Sequence, residues 1–519
     1  MLVETGARAA SRLRVILIAS VTCLAVASGV AAQQPPAEPV QPPAETPPSA
    51  PLDATRPVVP SPPVNLPTPP VGTTPGTTVV PPPTVPSAQR PDLLVTGLPA
   101  IPGAVFQPHF GIGVSEEFSD NFFLSKDKTR SNFRSMLTPG VGLDINGAFT
   151  KGRAVYTLSA IHDTVRAEDD VFLAHAFAGL VTWQATPLLS LTLSDTLTRS
   201  DEPDQAGRLS LRRERDPFLS NSFNALAQYR LGVVTAGLTY SWSTFFGSNE
   251  GNTNTHTFGV NASTPIGETN TLTVGYEYLL SNTSADRSGG GSDEEITGHR
   301  VYATFARQLT SLLTAGVTSS YAIRRSDAHH DDTSSDVGSG VAIGNDYDMW
   351  SVALFNSYSG PRLLMTGSIG YTRIEPTRGR AESSVLTTTS ISYRFARAIA
   401  TLTVDSGFSE TFADGQNFGV VETRGATLSL YYPLTPFIDT NVTGLYRTNT
   451  TAGSSDDQQT WGINASATFR FTRWLGLLLE YNHREVSGGT LRSATGVGSS
   501  TFGSEYTENR ARISLNAWF

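Results

Sequence analysis

Few residues in this chain are spaced for chemistry. The densest group of metal-capable side chains is His329-His330-Asp331-Asp332, with Asp327 and Asp336 nearby. Carboxylates suit calcium and imidazoles suit zinc. The spacing fits neither an EF-hand loop nor a His-Glu-x-x-His helix, so the group reads as a solvated polar loop. Asp293-Glu294-Glu295, after Gly289-Gly290-Gly291, reads the same way. His162-Asp163 and His483 could do acid–base work at a rim, but no spacing marks a nucleophile for them, and serine is too abundant to single one out. Gly338, Gly340 and Gly344 lack the strand-to-helix context of a phosphate cradle. The expectation is a protein that is not an enzyme and holds no metal or cofactor.

The charges that do follow a pattern alternate with apolar residues. Arg134, Asp144, Glu277, Arg300, Arg394, Asp405, Arg470, Glu480, Arg510 and Arg512 all fall on the polar side of period-two segments. Val234, Ala236, Leu238, Tyr240 and Trp242 form one apolar row, opposed by Thr235, Gly237, Thr239 and Ser241. Trp461, Ile463, Ala465, Ala467, Phe469 and Phe471 form another, opposed by Asn464, Ser466, Thr468 and Arg470. A period of two is a β-strand with one greasy and one wet face. Such rows recur from Ala104 to Phe519, and counting them gives about 20 strands, within about 18 to 22.

The connections alternate as well. Short links carry turn residues: Asn146-Gly147, Thr186-Pro187, Pro265-Ile266-Gly267, Ser359-Gly360-Pro361, Pro433 to Pro436 and Thr472-Arg473. Long links carry charge and glycine at 119–131, 200–215, 284–295, 326–346, 448–459 and 487–504. Trp183, Tyr229, Phe395, Tyr431, Tyr432, Phe471 and Trp474 sit beside short turns, where amphipathic rings suit a membrane interface. This is the pattern of a transmembrane antiparallel up-and-down β-barrel, all-β, with short periplasmic turns and long outer loops. Inside it, the ten charges would line the lumen. Loop 326–346 is the expected candidate to fold inward.

The amino-terminal part has a different composition. Arg8, Arg12 and Arg14, an apolar run from Val15 to Ala27 and small residues Val30-Ala31-Ala32 make residues 1–32 a secretory signal peptide. Residues 33–103 hold about two-thirds of the 33 prolines and almost no aromatics, which predicts a disordered periplasmic tether. Residues 104–519 are the barrel. Cys23 is the only cysteine, so the mature chain would carry no disulfide and no thiolate metal site. A net charge of −9 without a basic stripe argues against a nucleic-acid partner. Mean hydropathy is −0.14, and no apolar 20-mer follows residue 32, so a membrane would have to be crossed by strands.

Ala511, Ile513, Leu515, Ala517 and Phe519 alternate with Arg512, Ser514, Asn516 and Trp518. A terminal strand leaves a raw edge unless the sheet closes on it. Its final Phe519 is similar to the assembly signal read by the outer-membrane barrel assembly machinery. Near the start of the barrel, Val114-Ser-Glu-Glu-Phe-Ser-Asp-Asn-Phe-Phe-Leu-Ser125 precedes Leu137-Thr-Pro-Gly-Val-Gly-Leu143. With Phe118, Asp120, Asn121 and Pro139-Gly140, this resembles an outer-membrane β-barrel porin family of proteobacteria, some of whose members are associated with exopolysaccharide systems. The resemblance implies a Gram-negative outer-membrane barrel without catalytic residues. Asp120 and Asn121 themselves read as turn caps that shape the first outer loop. The expected function is a pore for small hydrophilic solutes or for export of a polysaccharide. The alternative is a non-conducting structural or surface-interaction barrel acting through its loops or tether. Expected partners are outer-membrane lipid, lipopolysaccharide and the assembly machinery.

Overall fold

The computed structural model describes residues 105–127, 129–166, 171–203, 215–247, 252–284, 293–327, 346–377, 380–411, 419–452, 457–488 and 505–519. The predicted signal peptide and tether, the His329–Asp332 group with Asp336, Gly289–Gly291 and Gly338–Gly344 lie outside those residues, as does nearly all of loop 326–346.

Twenty strands follow one another: β1 Phe106–Ser119, β2 Asn132–Asn146, β3 Thr150–Asp163, β4 Val171–Gln184, β5 Leu189–Ser200, β6 Phe218–Leu231, β7 Val234–Gly247, β8 Asn252–Ile266, β9 Asn270–Ser284 and β10 Glu294–Gln308. The second half is β11 Leu313–Ser326, β12 Tyr347–Ser359, β13 Leu363–Pro376, β14 Glu382–Arg394, β15 Ile399–Glu410, β16 Val420–Thr435, β17 Ile438–Thr451, β18 Asp457–Arg470, β19 Leu475–Gly488 and β20 Tyr506–Trp518. Each pairs antiparallel with its sequence neighbours, and β20 pairs with β1, from Gly111↔Trp518 to Ser119↔Arg510. The sheet is a closed 20-strand barrel. Beyond the last ladder rung, Phe110 and Phe519 exchange both backbone hydrogen bonds, at 3.0 and 2.8 Å.

Connections of two to four residues alternate with connections of four or more, the longest being 327–346. Two details differ from the sequence reading. Most of 448–459 is strand, because β17 and β18 reach Thr451 and Asp457. Glu294 and Glu295 open β10 rather than sitting in a loop.

The alternation sorts side chains by face. On β1, Phe106, Phe110, Ile112, Val114 and Phe118 point out and are exposed, while Gln107, His109, Ser115 and Ser119 point in and are buried. Leu238, Leu354 and Ile369 are likewise outward and about 60% exposed (60%, 64% and 63%). So much apolar area facing outward is the belt of a membrane-spanning barrel. Strands of 12 to 16 residues, tilted as barrel strands are, rise on the order of 35 Å, more than the apolar band of about 25 Å. The excess lies at the long-loop end, where the outward row turns polar at Glu116, Arg325, Asp348, Arg373, Glu375 and Glu485.

At the short-turn end, inward Trp518 lies on a floor of glycine. A Cβ built on Gly111 would meet its ring at 2.5 Å, and one on Gly140 at 3.1 Å. Only glycine lets the indole come this close, which gives Pro139-Gly140 a physical role: Gly140 makes room for the closing strand.

Candidate functional site: a hydroxyl-lined lumen with a narrowed outer mouth

Inward rows at mid-height are mostly Ser, Thr and Asn. Neighbouring strands join them in hydroxyl–hydroxyl bonds: Thr138–Ser159 at 2.9 Å, Thr273–Ser263 at 3.0 Å, Thr304–Thr318 at 3.1 Å, Ser320–Ser351 at 2.9 Å, Ser392–Thr401 at 2.8 Å and Ser429–Thr443 at 2.9 Å. A hydroxyl both donates and accepts, so this wall offers both roles without net charge.

The charges singled out in the sequence are placed as follows. Asp144 meets His109 Nε2 at 3.1 Å and Arg153 at 3.7 Å. Glu277 and Arg300 face each other across β9 and β10 at 3.1 Å. Asp405 lies 3.6 Å from Arg447, and Glu480 accepts a 2.7 Å hydrogen bond from Asn464. Arg470 pairs with Asp439, to which Tyr431 donates at 2.8 Å. Tyr431 thus turns into the lumen at the short-turn mouth instead of joining the outward girdle. Arg394 stands exposed at the same rim, on the face of β14 shared with buried Ser384. Arg512 donates to Ser115 and Ser514, both at 3.1 Å. Arg134 and Arg510 belong to a larger assembly at the opposite end. Phe519 faces outward, its ring stacked on Trp474 at 5.9 Å.

That assembly is the main feature of the outer mouth. Arg134 on β2 donates to Asp163 at 2.8 and 3.2 Å, to Asp201 at 2.9 Å and to Glu202 at 2.5 Å. Asp201 and Glu202 follow β5, and Arg215 precedes β6. Arg215 binds Glu202 and also Glu508 on β20, at 2.5 Å for the latter, while Arg510 on β20 holds Glu202 at 2.8 Å. The ends of the β5–β6 connection therefore reach inward across four strands to the closing seam. All these side chains are buried; Asp163 and Asp201 are each 1% exposed. Phe122, from the first outer loop, sits among Arg134, Arg166 and Arg215, whose guanidinium carbons lie 5.3, 5.5 and 4.8 Å from its ring centre. Burial alone would raise the Glu202 pKa; Arg215, Arg510 and Arg134 outweigh it and hold the carboxyl below the usual range.

Asp120 and Asn121 clip that first loop in place. Asp120 accepts from the Asn509 backbone at 2.7 Å, and Asn121 bonds Ser125 through both its amide atoms and the Thr507 carbonyl through Nδ2 at 3.0 Å. The wall between β11 and β16 is also narrowed. Glu410 on β15 accepts from Arg324 on β11 at 2.8 and 3.0 Å and from the Tyr347 hydroxyl at 2.6 Å. Tyr347, Ile374, Val420 and Ala452 form a buried cluster beside them, with Met349 and Phe408 packed against it.

Sequence reasoning singled out neither Asp201, Glu202 and Arg215 nor Arg324, Tyr347 and Glu410. One signal existed: Asp201-Glu202 and Arg212-Arg213-Glu214-Arg215 put both signs of charge at the two ends of one long connection. His162 and His483 face outward, the latter bonded to Asn509 at 2.8 Å. Among the described residues, no three His, Cys, Asp or Glu side chains are gathered as a metal site.

No family model matches the chain, and no curated protein does. Among solved structures, the chain is similar to the siderophore receptor PirA of Pseudomonas aeruginosa, at 13% identity over 82% of each chain and a TM-score of 0.44. It is similar to the FrpB iron transporter of Neisseria meningitidis at 11% identity, over 82% of this chain and 83% of that one, with a TM-score of 0.45. PirA of Acinetobacter baumannii gives 11% identity, 79% and 80% coverage and a TM-score of 0.43.

Proposed function

We propose that this chain is an outer-membrane pore for uncharged polyhydroxylated solutes, small sugars or a glycan chain. The observation that carries this reading is the self-bonded ladder of inward hydroxyls. A sugar presents hydroxyl donors and acceptors as such a wall does, and it can exchange one set of hydrogen bonds for the other at little net cost. The charged lumen residues are largely matched with opposite charge, at the mouth and at Glu277–Arg300, so they supply little field to draw in ions. A barrel of 20 strands is wide enough to conduct unless filled. The apolar belt and the polar outward row above it suit an outer membrane whose outer leaflet is lipopolysaccharide. Residues 33–103 would then lie in the periplasm as a tether, and Phe519 would be read by the assembly machinery. No chemical step is involved.

Swelling of proteoliposomes in neutral sugars of graded size tests the reading. Entry of mono- and disaccharides with a size cut-off is expected. A folded barrel that admits none of them overturns the pore and leaves the surface-interaction barrel.

A further inference from the structure

The β14–β15 ladder stops early. It runs from Arg394↔Ile399 to Thr387↔Ser406. Above that point β14 remains paired with β13 as far as Glu382↔Ile374, and β15 remains paired with β16 as far as Glu410↔Val420. The wall has therefore parted between two strands that each keep their other neighbour.

The side chains say which way. Leu402, Val404 and Ser406 put the even positions of β15 on the outward face, so Phe408 and Glu410 inherit that face. Yet Phe408 packs against the cluster that Tyr347 and Ile374 form with Val420 and Ala452, and Glu410 bonds Arg324 and Tyr347; Arg324, Tyr347 and Ile374 are inward residues of β11 to β13. Glu422 of β16 likewise accepts from Ser384, an inward residue of β14, at 2.5 Å. An outward face can meet an inward face only if the ends of β15 and β16 have slipped inside the wall. The bend falls at Gly407, whose φ of +141° L side chains rarely adopt. The edge this exposes is partly satisfied: Ser406 Oγ donates to the Val385 carbonyl at 3.0 Å.

We propose that the outer ends of β15 and β16 (407–410 and 420–423) are the gate of the pore, switching between this tucked position and one zipped to β14. The inference rests on the pore reading. Zipping continues the ladder as Val385↔Phe408 and Ser384↔Ser409, returns Phe408 to the outward face and clears the mouth beside β11 to β13. The tucked state holds the apolar cluster and the Arg324–Glu410–Tyr347 bonds; the zipped state regains backbone hydrogen bonds. These terms are of similar size, so one sequence supports both.

The test pairs Ser384→Cys with Ser409→Cys, in native outer membranes and in planar bilayers. In this structure the β14–β15 ladder ends at Thr387↔Ser406 and does not pair Ser384 with Ser409; in the zipped state they are cross-strand neighbours. Ser390→Cys with Thr403→Cys, partners in the existing ladder, is the positive control. Expected are a disulfide at 384/409 and a step up in single-channel conductance that reverts on reduction. Glu410→Gln, which weakens the clasp without touching the seam, should speed 384/409 cross-linking on the order of tenfold. A conducting barrel in which the control cross-links and 384/409 does not overturns the gate alone, and so does a 384/409 disulfide that leaves conductance unchanged. A folded barrel silent in every variant overturns the pore reading and the gate with it.

Discussion

Replacing Arg134 with Met should unlatch the β5–β6 connection. Arg134 is the group that Asp163, Asp201 and Glu202 share. Each acid keeps some support in the variant: Asp163 has Asn132 at 2.7 Å and Arg166 at 3.3 Å, Asp201 has Arg166, and Glu202 has Arg215 and Arg510. Removing one partner from a buried ion network costs about 3 to 5 kcal/mol, and the surviving cations place this case near about 3. In the open state water solvates the same carboxylates, so the loss falls on the closed state alone. That is a shift of up to about a hundredfold toward open. Ser200→Cys reports it, because Ser200 is 1% exposed in the shut latch, where its Oγ accepts from the Glu202 backbone at 3.1 Å. The sequence's sole other cysteine is Cys23, in the predicted signal peptide, so the label would be unique to this site. A membrane-impermeant maleimide should react up to about a hundredfold faster in the Arg134→Met background. Arg134→Lys should fall between, since one ammonium cannot span three carboxylates. An unchanged labelling rate in a folded Arg134→Met barrel refutes the latch.

Acid should act late on the same site. The folded-state pKa of Glu202 is depressed below its ordinary 4.5, so its contribution is complete above that value and is lost only as pH falls through the lower folded one; labelling at Ser200→Cys, taken as a ratio to a free thiol whose thiolate fraction falls with pH in the same way, should not change between about pH 7 and 5, and a rise of that ratio in that window would contradict the assignment. Gly111→Val should prevent closure, because its side chain would occupy the volume of the Trp518 ring; the cost is at least about 1–3 kcal/mol, and the readout is loss of the heat-modifiable folded band on gels. Deleting Phe519 removes both Phe110 backbone bonds and the Trp474 stack, whereas Trp474→Ala removes only the stack, worth about 0.5–1.5 kcal/mol. The deletion should therefore reduce assembled barrel much more than Trp474→Ala, and equal yields would show that the β1–β20 ends do not depend on it.

The barrel was legible in the sequence because its signal is local. A strand whose two faces meet lipid and water must alternate, so Leu238 and Thr239 betray their sides without any knowledge of the fold. The turns were legible for the same reason, except Leu309 to Leu312, where two leucines bracket Thr310-Ser311 and hide the break between two apolar rows. The mouth was not legible, because its logic is non-local. Glu202 and Arg510 lie far apart in sequence and meet only because closure brings β20 beside β1. Asp201-Glu202 read alone is an ordinary solvated loop. Phe408 and Glu410 were hidden more deeply: their alternation is intact and points outward, and only the interrupted β14–β15 ladder reveals that the outward face has been folded in.

The two narrowings differ in what it takes to open them. Mutating one member of the Arg134 network strands buried charges, but moving Asp201, Glu202 and Arg215 out of it together returns the members to water, and hydration repays most of the Coulomb energy lost. A network of matched charges is thus costly to damage and cheap to open as a unit. The clasp at β15 and β16 mixes ion pairing with an apolar cluster whose exposure nothing in water repays, and its compensation must come from backbone bonds with β14. That compensation exists only because the β14–β15 ladder stops at Thr387↔Ser406, short of the outer end of β14. On this physical ground the β5–β6 side suits a passive, frequently open constriction, and the β15–β16 side suits a switch with two defined positions.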